Sequence, residues 1–298
     1  MTTHRPETDL ALAALVREAA TAGTGLRIRG AGTWMDAGHP VAASATLDVT
    51  AFTGVTAYAP DDLTLSCGAA TTLAELEAAT RAHGQWCPLL PWGSDTGTVG
   101  ATLATATTGP FGDRLGRPRQ LVLGVRAVDG RGRIVEAGGR VVKNVAGFDL
   151  TRALTGSWGT LAVLTHVHLR LRARATADET WCVVGADEPA LDAFVRGPLA
   201  PLGAVALSIE DAAALALPGP GWLLRLGGNA PFVAAARQVV RSLGDASDVD
   251  PAVWTAVRER CAPPSRATTW RWDALSLALR AQFDPAGILN PGLLGATR

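Results

Sequence analysis

A glycine-rich loop directly after a predicted strand is the feature that most constrains how this chain folds. Residues 26–29, with the sequence LRIR, predict a short strand, and Gly30, Gly32 and Gly38 interrupt the chain just after it. Glycine allows positive φ angles and close approach, so the backbone N–H groups of such a loop can converge on an anion. A tight turn between two strands is the alternative that this stretch leaves open.

Two common phosphate-binding templates do not fit this loop. A dinucleotide-binding turn needs the spacing G-x-G-x-x-G, but Met35 stands where the third glycine would be. A Walker A loop needs Gly-Lys followed by Ser or Thr, and the chain contains no Gly-Lys pair. The loop is therefore either a nest of backbone donors of another kind or a plain turn.

Strands and helices alternate along the first part of the chain. The spacing of apolar residues predicts a helix over 8–20, a strand over 63–69 and a helix from residue 72 that ends before Gly84. Thr72 and Glu75 form a capping box at the start of that second helix. This alternation favours an α+β fold.

A second unit is predicted beyond residues 173–180, a polar stretch without periodicity. Before it, residues 129–132 carry Asp-Gly and a further glycine, which predicts a hairpin turn between two apolar strands. After it, strands and helices alternate again over fewer than about a hundred residues, as in a small α+β unit. The last segment, residues 279–294, is rich in Pro and Gly and follows a helix.

Composition excludes several classes of function. The chain has 27 basic and 27 acidic residues, so its zero net charge gives no reason to expect nucleic-acid binding. The N-terminus lacks a basic segment followed by an apolar one, and no apolar run is long enough for a membrane span, so we expect a cytoplasmic protein. Cys67, Cys87, Cys182 and Cys261 form no C-x-x-C pair, which predicts reduced thiols rather than zinc ligands or disulfides.

Four separated stretches agree with one known family. They are RIRGAGT at 27–33, DTGTVGATLATATTGP at 95–110, the long segment 121–171, and FDPAGILNPG at 283–292. Together they resemble the vanillyl-alcohol-oxidase type of FAD-dependent oxidoreductases, the PCMH-type FAD-binding family, and within it the FAD-binding subunits of bacterial glycolate oxidases. The most specific parts are VVKNVAGFDLTRALTGSWGTL and the terminal Asn-Pro-Gly.

The resemblance implies that the first glycine loop, residues 29–33, wraps the FAD pyrophosphate with backbone N–H groups. The residues concerned are Arg29, Gly30, Ala31, Gly32 and Thr33. Many relatives carry the flavin covalently on a histidine at the position of Thr33. Threonine cannot form that link, so we expect non-covalent FAD.

The resemblance also implies a second glycine loop, residues 93–100, beside the pyrophosphate and the isoalloxazine ring. Its predicted contacts are Ser94, Thr96, Gly97, Thr98 and Gly100. The alternative for this stretch is a helix that small residues allow to pack closely.

Three further groups of contacts follow from the resemblance alone. They are Gly159, Thr160, Leu161 and Val163 along adenine and ribose, Lys143 and Asn144 near the cofactor, and Asn290 where the C-terminus folds back. The first group can equally be a plain core strand, and the second a solvated loop.

The fold implied is α+β. A PCMH-type FAD-binding domain spans 1–175 and consists of two α+β subdomains that meet near residue 70. A small α+β cap domain spans 176–262, and a C-terminal segment, 263–298, returns to the FAD domain.

The function implied is that of the FAD-binding subunit of a glycolate oxidase complex. Such a complex oxidises a small 2-hydroxy acid, glycolate to glyoxylate, and passes electrons to partner subunits. The partners would be a larger FAD-containing subunit and an iron–sulfur subunit, and peripheral membrane association through them is left open. Two alternatives remain: a self-sufficient FAD-dependent dehydrogenase of a small alcohol or hydroxy acid, and a structural subunit without turnover.

The sequence departs from catalytic relatives in its histidines. Those relatives carry a histidine-rich metal motif in a larger cap, whereas every histidine here lies at or before residue 168. His166 and His168 share one face of a predicted strand, but no third ligand is evident, so we predict no metal site. No general base is identifiable, and the catalytic residues stay unassigned.

Overall fold

The computed structural model describes residues 1–139, 150–261 and 272–295, and within these ranges the strands form four β-sheets. The strands are β1 (Thr2–His4), β2 (Leu26–Arg29), β3 (Ala45–Asp48), β4 (Val55–Ala59), β5 (Thr64–Gly68), β6 (Gln85–Trp86), β7 (Val122–Asp129), β8 (Ile134–Gly138), β9 (Ala162–Arg170), β10 (Arg172–Ala173), β11 (Ala177–Val184), β12 (Gly203–Leu207), β13 (Gly221–Gly228) and β14 (Asp245–Val249). The helices are α1 (Asp9–Ala22), α2 (Leu73–Arg81), α3 (Val99–Thr105), α4 (Gly112–Leu115), α5 (Pro118–Leu121), α6 (Leu150–Leu154), α7 (Glu188–Arg196), α8 (Ile209–Ala214), α9 (Ala230–Ser242), α10 (Val253–Arg260) and α11 (Ala274–Phe283). The mixed helix-and-sheet fold expected from the sequence is confirmed.

A parallel three-stranded sheet, in the order β1-β3-β2, carries the first glycine loop at the carboxyl end of β2. Helix α1 shares a buried core with this sheet, in which Leu12 and Val16 lie with Leu26 and Leu47, and it also packs against β7 and β8. The helix is capped at its start by the Thr8 hydroxyl, which accepts the N–H of Ala11 at 3.1 Å. Strand β2 ends at Arg29 and runs directly into the first glycine loop.

An antiparallel five-stranded sheet has the order β4-β5-β9-β7-β8. The predicted hairpin at 129–132 is confirmed between β7 and β8. Fully buried Asp129 holds it, because one carboxylate oxygen accepts the N–H groups of Arg131 at 3.0 Å and Arg133 at 2.9 Å. The capping box of α2 is confirmed as well: Glu75 N–H donates to the Thr72 hydroxyl at 3.1 Å, and Thr72 N–H to the Glu75 carboxylate at 2.7 Å.

The chain passes from the three-stranded sheet to the five-stranded sheet before the expected boundary near residue 70. Strands β4 and β5 precede that position but belong to the five-stranded sheet, so the three-stranded sheet ends at Asp48. The reason is tertiary, since β5 pairs along its whole length with β9, from Thr64 with Arg170 to Gly68 with His166.

The second unit is an antiparallel sheet in the order β12-β13-β11-β14, with α7 and α9 on one face. Strand β11 begins at Ala177, inside the stretch 173–180 that the sequence marked as a break. Its acidic residues are compatible with a strand because Asp178 pairs with Arg225, and Glu179 with Arg237 at 3.4 Å.

The C-terminal segment runs beside β2. Leu26 N–H donates to the carbonyl of Ile288 at 2.7 Å, and Asn290 N–H donates to the carbonyl of Leu26 at 2.9 Å. Before it, the buried carboxylate of Asp284 accepts the N–H groups of Ile288 and Leu289, at 3.1 and 3.0 Å. Among the helices of the described ranges, none has the length and apolarity that crossing a membrane requires.

Candidate functional site

A cleft lies where the first glycine loop, helix α3 and the turn before β9 meet. It measures about 760 Å³ including its open mouth. The predicted site residues on its wall are Arg29, Gly30, Ala31, Gly32, Thr33, Thr98, Gly100, Gly159, Val163 and Asn290. Residues from four separate parts of the chain are thus brought to one cavity.

Two glycines of the wall stand where a side chain would crowd its neighbours. A Cβ on Gly30 would lie 3.1 Å from the Thr98 hydroxyl, and one on Gly159 would lie 2.9 Å from the side-chain nitrogen of Asn290. Gly32 has a φ of +83°, which side chains of L-residues rarely adopt. At Gly30 and Gly159 the backbone therefore approaches its neighbours more closely than other residues would allow, and the role of the first glycine loop as a nest of backbone donors, a cradle for an anion, stays a prediction.

Arg27, which sequence analysis missed, is a buried cation at this cleft. It is 7% exposed, and its Nη2 donates to the carbonyls of Trp34 and Met35, at 3.4 and 3.1 Å. Within the described residues its buried Nη1 has no hydrogen-bond partner and no carboxylate pairs with the guanidinium. Burial lowers its pKa. An uncompensated charge in this position favours an anion in the adjacent cavity. In the sequence, the signal for this role was that Arg27 is a charged residue between two apolar ones, Leu26 and Ile28, in a short predicted strand.

The charge of Arg29, in contrast, is already compensated. Its guanidinium donates to the Asp48 carboxylate at 2.6 Å. Burial alone would raise the pKa of Asp48, but hydrogen bonds from Thr50 and Arg29 outweigh it and hold that pKa below its ordinary value. The two arginines of β2 therefore differ: Arg29 secures the end of the strand, and Arg27 leaves net positive charge at the cleft.

Helix α3 runs along the cleft with small residues facing it. The Thr98 hydroxyl caps its start by accepting the N–H of Ala101 at 3.2 Å. Ala101, Ala104 and Thr105 line the wall. Gly100, also on the wall, packs so closely that a Cβ would lie 2.7 Å from the carbonyl oxygen of Ala69, which lines the same cleft. The tight packing that the sequence left as an alternative is therefore present at Gly100, and contact of this stretch with a cofactor stays a prediction.

Two tryptophans on the wall were not predicted. The rings of Trp34 and Trp158 meet edge to face, with centroids 5.8 Å apart. Trp158 has a φ of +56°, an unusual backbone conformation for a non-glycine residue. Its N–H donates to the carbonyl of Ala104 at 2.8 Å, which ties this turn to α3.

Asn290 joins β2 to the turn before β9. Its Oδ1 accepts the N–H of Ile28 and its Nδ2 donates to the carbonyl of Trp158, both at 2.9 Å. The C-terminal segment is therefore built into the wall of the cleft.

Other predicted residues in the described ranges are not part of the wall of the cleft. Ser94, Thr96 and Gly97 form the approach to Thr98, and Gly97 comes near Thr33, whose hydroxyl would be 3.6 Å from a Cβ there. Thr160 and Leu161 are buried under the turn, as in the core-strand alternative. Lys143 and Asn144 lie outside the described residues. Their contacts with a cofactor stay predictions.

The two histidines of β9 take part in local hydrogen bonds. His168 Nδ1 lies 2.7 Å from the Ser66 hydroxyl, and His166 Nδ1 lies 3.3 Å from that of Thr165. In the described part of the chain, no group of three or more His, Cys, Asp or Glu residues could hold a metal ion.

Comparison with known proteins gives consistent similarities. Residues 3–138 match a family model described as an FAD binding domain. The glycolate oxidase subunit GlcE of Escherichia coli K12 is 32% identical over 265 residues, which cover 88% of this chain and 72% of GlcE. A D-lactate dehydrogenase of Archaeoglobus fulgidus is 41% identical over 111 residues, or 37% of this chain, and the matched region spans 25% of that enzyme.

A solved structure shows the same fold. Alkyldihydroxyacetonephosphate synthase superposes with a TM-score of 0.71 over 86% of this chain, at 16% identity. The matched region spans 55% of the synthase, so the likeness concerns the architecture of part of that larger protein.

Proposed function

This chain belongs to the FAD-binding oxidoreductase family that includes the glycolate oxidase subunit GlcE, and on that premise we propose that it is the FAD-binding subunit of a glycolate oxidase complex. Family membership makes it an FAD-dependent oxidoreductase. The proposal adds the substrate, glycolate or a related small 2-hydroxy acid, and two partners, a larger FAD-containing subunit and an iron–sulfur subunit.

The observation that carries the proposal is the chemistry of the cleft. The first glycine loop lines the cleft beside Arg27, a buried cation without a carboxylate partner in the described chain, and its glycines allow backbone N–H groups to approach an anion closely. A diphosphate needs several donors at close range and a positive potential, and this arrangement supplies both. The residues present therefore fit the central part of FAD.

In this assignment the chain's own residues bind and orient the cofactor. Backbone groups of the first glycine loop and the Thr98 hydroxyl hold the diphosphate, and Arg27 supplies the compensating charge. Trp34 and Trp158 offer aromatic surface to a ring of the cofactor. Thr33 cannot form a histidyl link, so binding is non-covalent. Bound FAD supplies the capacity to accept a hydride from a hydroxy acid.

A specific observation favours a subunit over a self-sufficient dehydrogenase. Among the described residues, the ionisable side chains of the cleft wall are Arg27 and Arg29. Neither can act as the base that takes a hydroxyl proton at neutral pH. The second unit contains no histidine in its sequence. The base would then come from a partner subunit.

The domain organisation is part of the same proposal. Residues 1–175 form the FAD-binding domain and 176–262 the cap, and 263–298 return to the FAD domain. The contacts of Ile288 and Asn290 with β2 support this path for the C-terminal segment.

The test is a visible absorption spectrum of the purified chain, alone and with its two candidate partners. We expect flavin bands that acid precipitation releases into the supernatant, and anaerobic glycolate should bleach them only in the presence of the partners. Bleaching of the chain alone would favour the self-sufficient dehydrogenase. Failure to retain FAD after reconstitution would overturn the proposal.

A further inference from the structure

Arg258 connects the second unit to the second glycine loop. It lies on α10, far along the chain from the residues that match the FAD-binding model, and is 3% exposed. Its Nε donates to the carbonyl of Pro91 at 2.8 Å, and its Nη1 to the Asp95 carboxylate at 2.6 Å. In return, Gly93 N–H donates to the carbonyl of Arg258 at 2.8 Å. One buried side chain thus fixes the start of the loop.

Helix α2 holds the other side of the same loop. Leu73 N–H donates to the carbonyl of Gly97 at 2.9 Å, and Ala74 N–H to that of Asp95 at 3.1 Å. Asp95 is therefore held through its carboxylate by α10 and through its backbone by α2. This leaves the loop little freedom to shift.

The second glycine loop leads directly into the wall of the cleft, because its residue Thr98 lines the cavity. Thr98, the next residue after Gly97, lies directly against Gly30, since a Cβ on Gly30 would lie 3.1 Å from its hydroxyl. A contiguous set of contacts therefore runs from Arg258 through Asp95 to Thr98 and the first glycine loop.

We propose that Arg258 is a positioning residue for the cofactor site, so that FAD retention depends on the second unit as well as on the FAD-binding domain. The proposal rests on the proposed function in requiring that the cleft binds FAD. Loss of the guanidinium leaves the Asp95 carboxylate and the carbonyl of Pro91 without their donor. The loop can then relax away from the position that Thr98 needs.

The test measures the dissociation constant of FAD for the full-length apoprotein by fluorescence titration, and the visible circular dichroism of the bound flavin. Arg258→Gln should weaken FAD binding by about tenfold and change the dichroism, because it removes a buried charge-assisted bond from the loop. Arg258→Lys keeps the charge and should recover part of the affinity. Arg260→Gln is the matched control, since Arg260 lies on the same helix but pairs with Asp211 at the surface.

Asp95→Asn removes the same ion pair by changing the residue in the second glycine loop. It keeps the inference testable if the Arg258 variant fails to fold. It should also weaken FAD binding by more than twofold, whereas Arg260→Gln should stay within twofold. FAD binding within twofold of wild type in both Arg258→Gln and Asp95→Asn would overturn this inference and leave the proposed function intact. Absence of FAD binding in the wild-type chain would overturn both.

Discussion

The side-chain amide of Asn290 donates to the carbonyl of Trp158 at 2.9 Å, across 132 residues of sequence. The same amide group accepts the N–H of Ile28 through its oxygen. One side chain therefore joins the end of β2, the turn before β9 and the C-terminal segment. Trp158 needs such support because its backbone is in a left-handed conformation.

Replacement of Asn290 should cost both stability and cofactor affinity. Asn290→Ala leaves the Ile28 N–H and the Trp158 carbonyl unpaired, which should lower the free energy of unfolding by about 2 kcal/mol. FAD binding should weaken severalfold. The control is Asn229→Ala, which removes the cap of α9 and should cost about 1 kcal/mol without changing FAD affinity. Urea unfolding and FAD titration measure the two effects, and equal FAD affinity in both variants would contradict the role of Asn290.

A side chain at position 32 should prevent the cleft from retaining FAD. Gly32→Val places a β-branched residue at a φ of +83° inside the cradle, and we expect loss of flavin retention with the fold largely kept. Gly54→Val is the matched control, because Gly54 has a similar φ of +88° and no atom within 4 Å of its Cβ position. Both variants should lose about 1–2 kcal/mol of stability. If Gly32→Val retains full FAD, the assignment of the loop is wrong.

Removal of the positive charge of Arg27 should weaken FAD binding without substantially lowering the stability of the fold. Arg27→Met takes away an uncompensated charge and a buried unpaired N–H group, so stability should change by less than about 1 kcal/mol or increase. FAD affinity should fall by about tenfold, because the diphosphate loses its compensating charge. Arg131→Met, at an exposed arginine of the hairpin, should leave FAD affinity unchanged. Isothermal titration with FAD would decide, and unaltered affinity in Arg27→Met would exclude an electrostatic role.

The thiols should differ sharply in reactivity. Burial raises the pKa of Cys67 and Cys87 to about 12, so both remain protonated at pH 8 and should not react with a disulfide reagent in the native protein. Cys182 is also buried, whereas Cys261 is partly exposed and should react first. Thiol titration before and after unfolding checks this, and rapid native labelling of Cys67 or Cys87 would contradict the packing described.

Acid should remove one anchor of the first glycine loop. The folded-state pKa of Asp48 lies below its ordinary value of 3.8, so its ionised form stabilises the fold above that pH. The contribution disappears as the pH falls through the folded-state pKa. The stability difference between wild type and Asp48→Asn should therefore be largest near neutral pH and shrink below about pH 4. Urea unfolding at pH 7, 5 and 3 tests the sign, and a difference that grows in acid would refute it.

Local patterns predicted the parts of the site that depend on local chemistry. The glycine at 32, the capping box of Thr72 and Glu75, and the hairpin at Asp129 each depend on neighbours a few residues away. Local patterns therefore located the first glycine loop after its strand, and the family resemblance placed this loop and the stretch of α3 beside a cofactor.

The parts of the site that were not predicted from the sequence depend on contacts between distant segments. Arg27 differs from Arg29 only because Asp48 reaches one of them and not the other. Trp158 becomes part of the wall through Ala104 and Asn290, and no spacing in the sequence marks it. The boundary near residue 70 failed for the same reason, since the pairing of β5 with β9 is a long-range choice.

The hydrogen bond between the Ile28 N–H and the Asn290 side chain spans 262 residues, so the cleft is complete only after Asn290 has been synthesised. During synthesis the first glycine loop leaves the ribosome long before the amide that secures the strand preceding it. The nascent chain therefore carries an unfinished cradle until Asn290 has emerged. Loading of the cofactor into a complete site is an event that follows the synthesis of this segment.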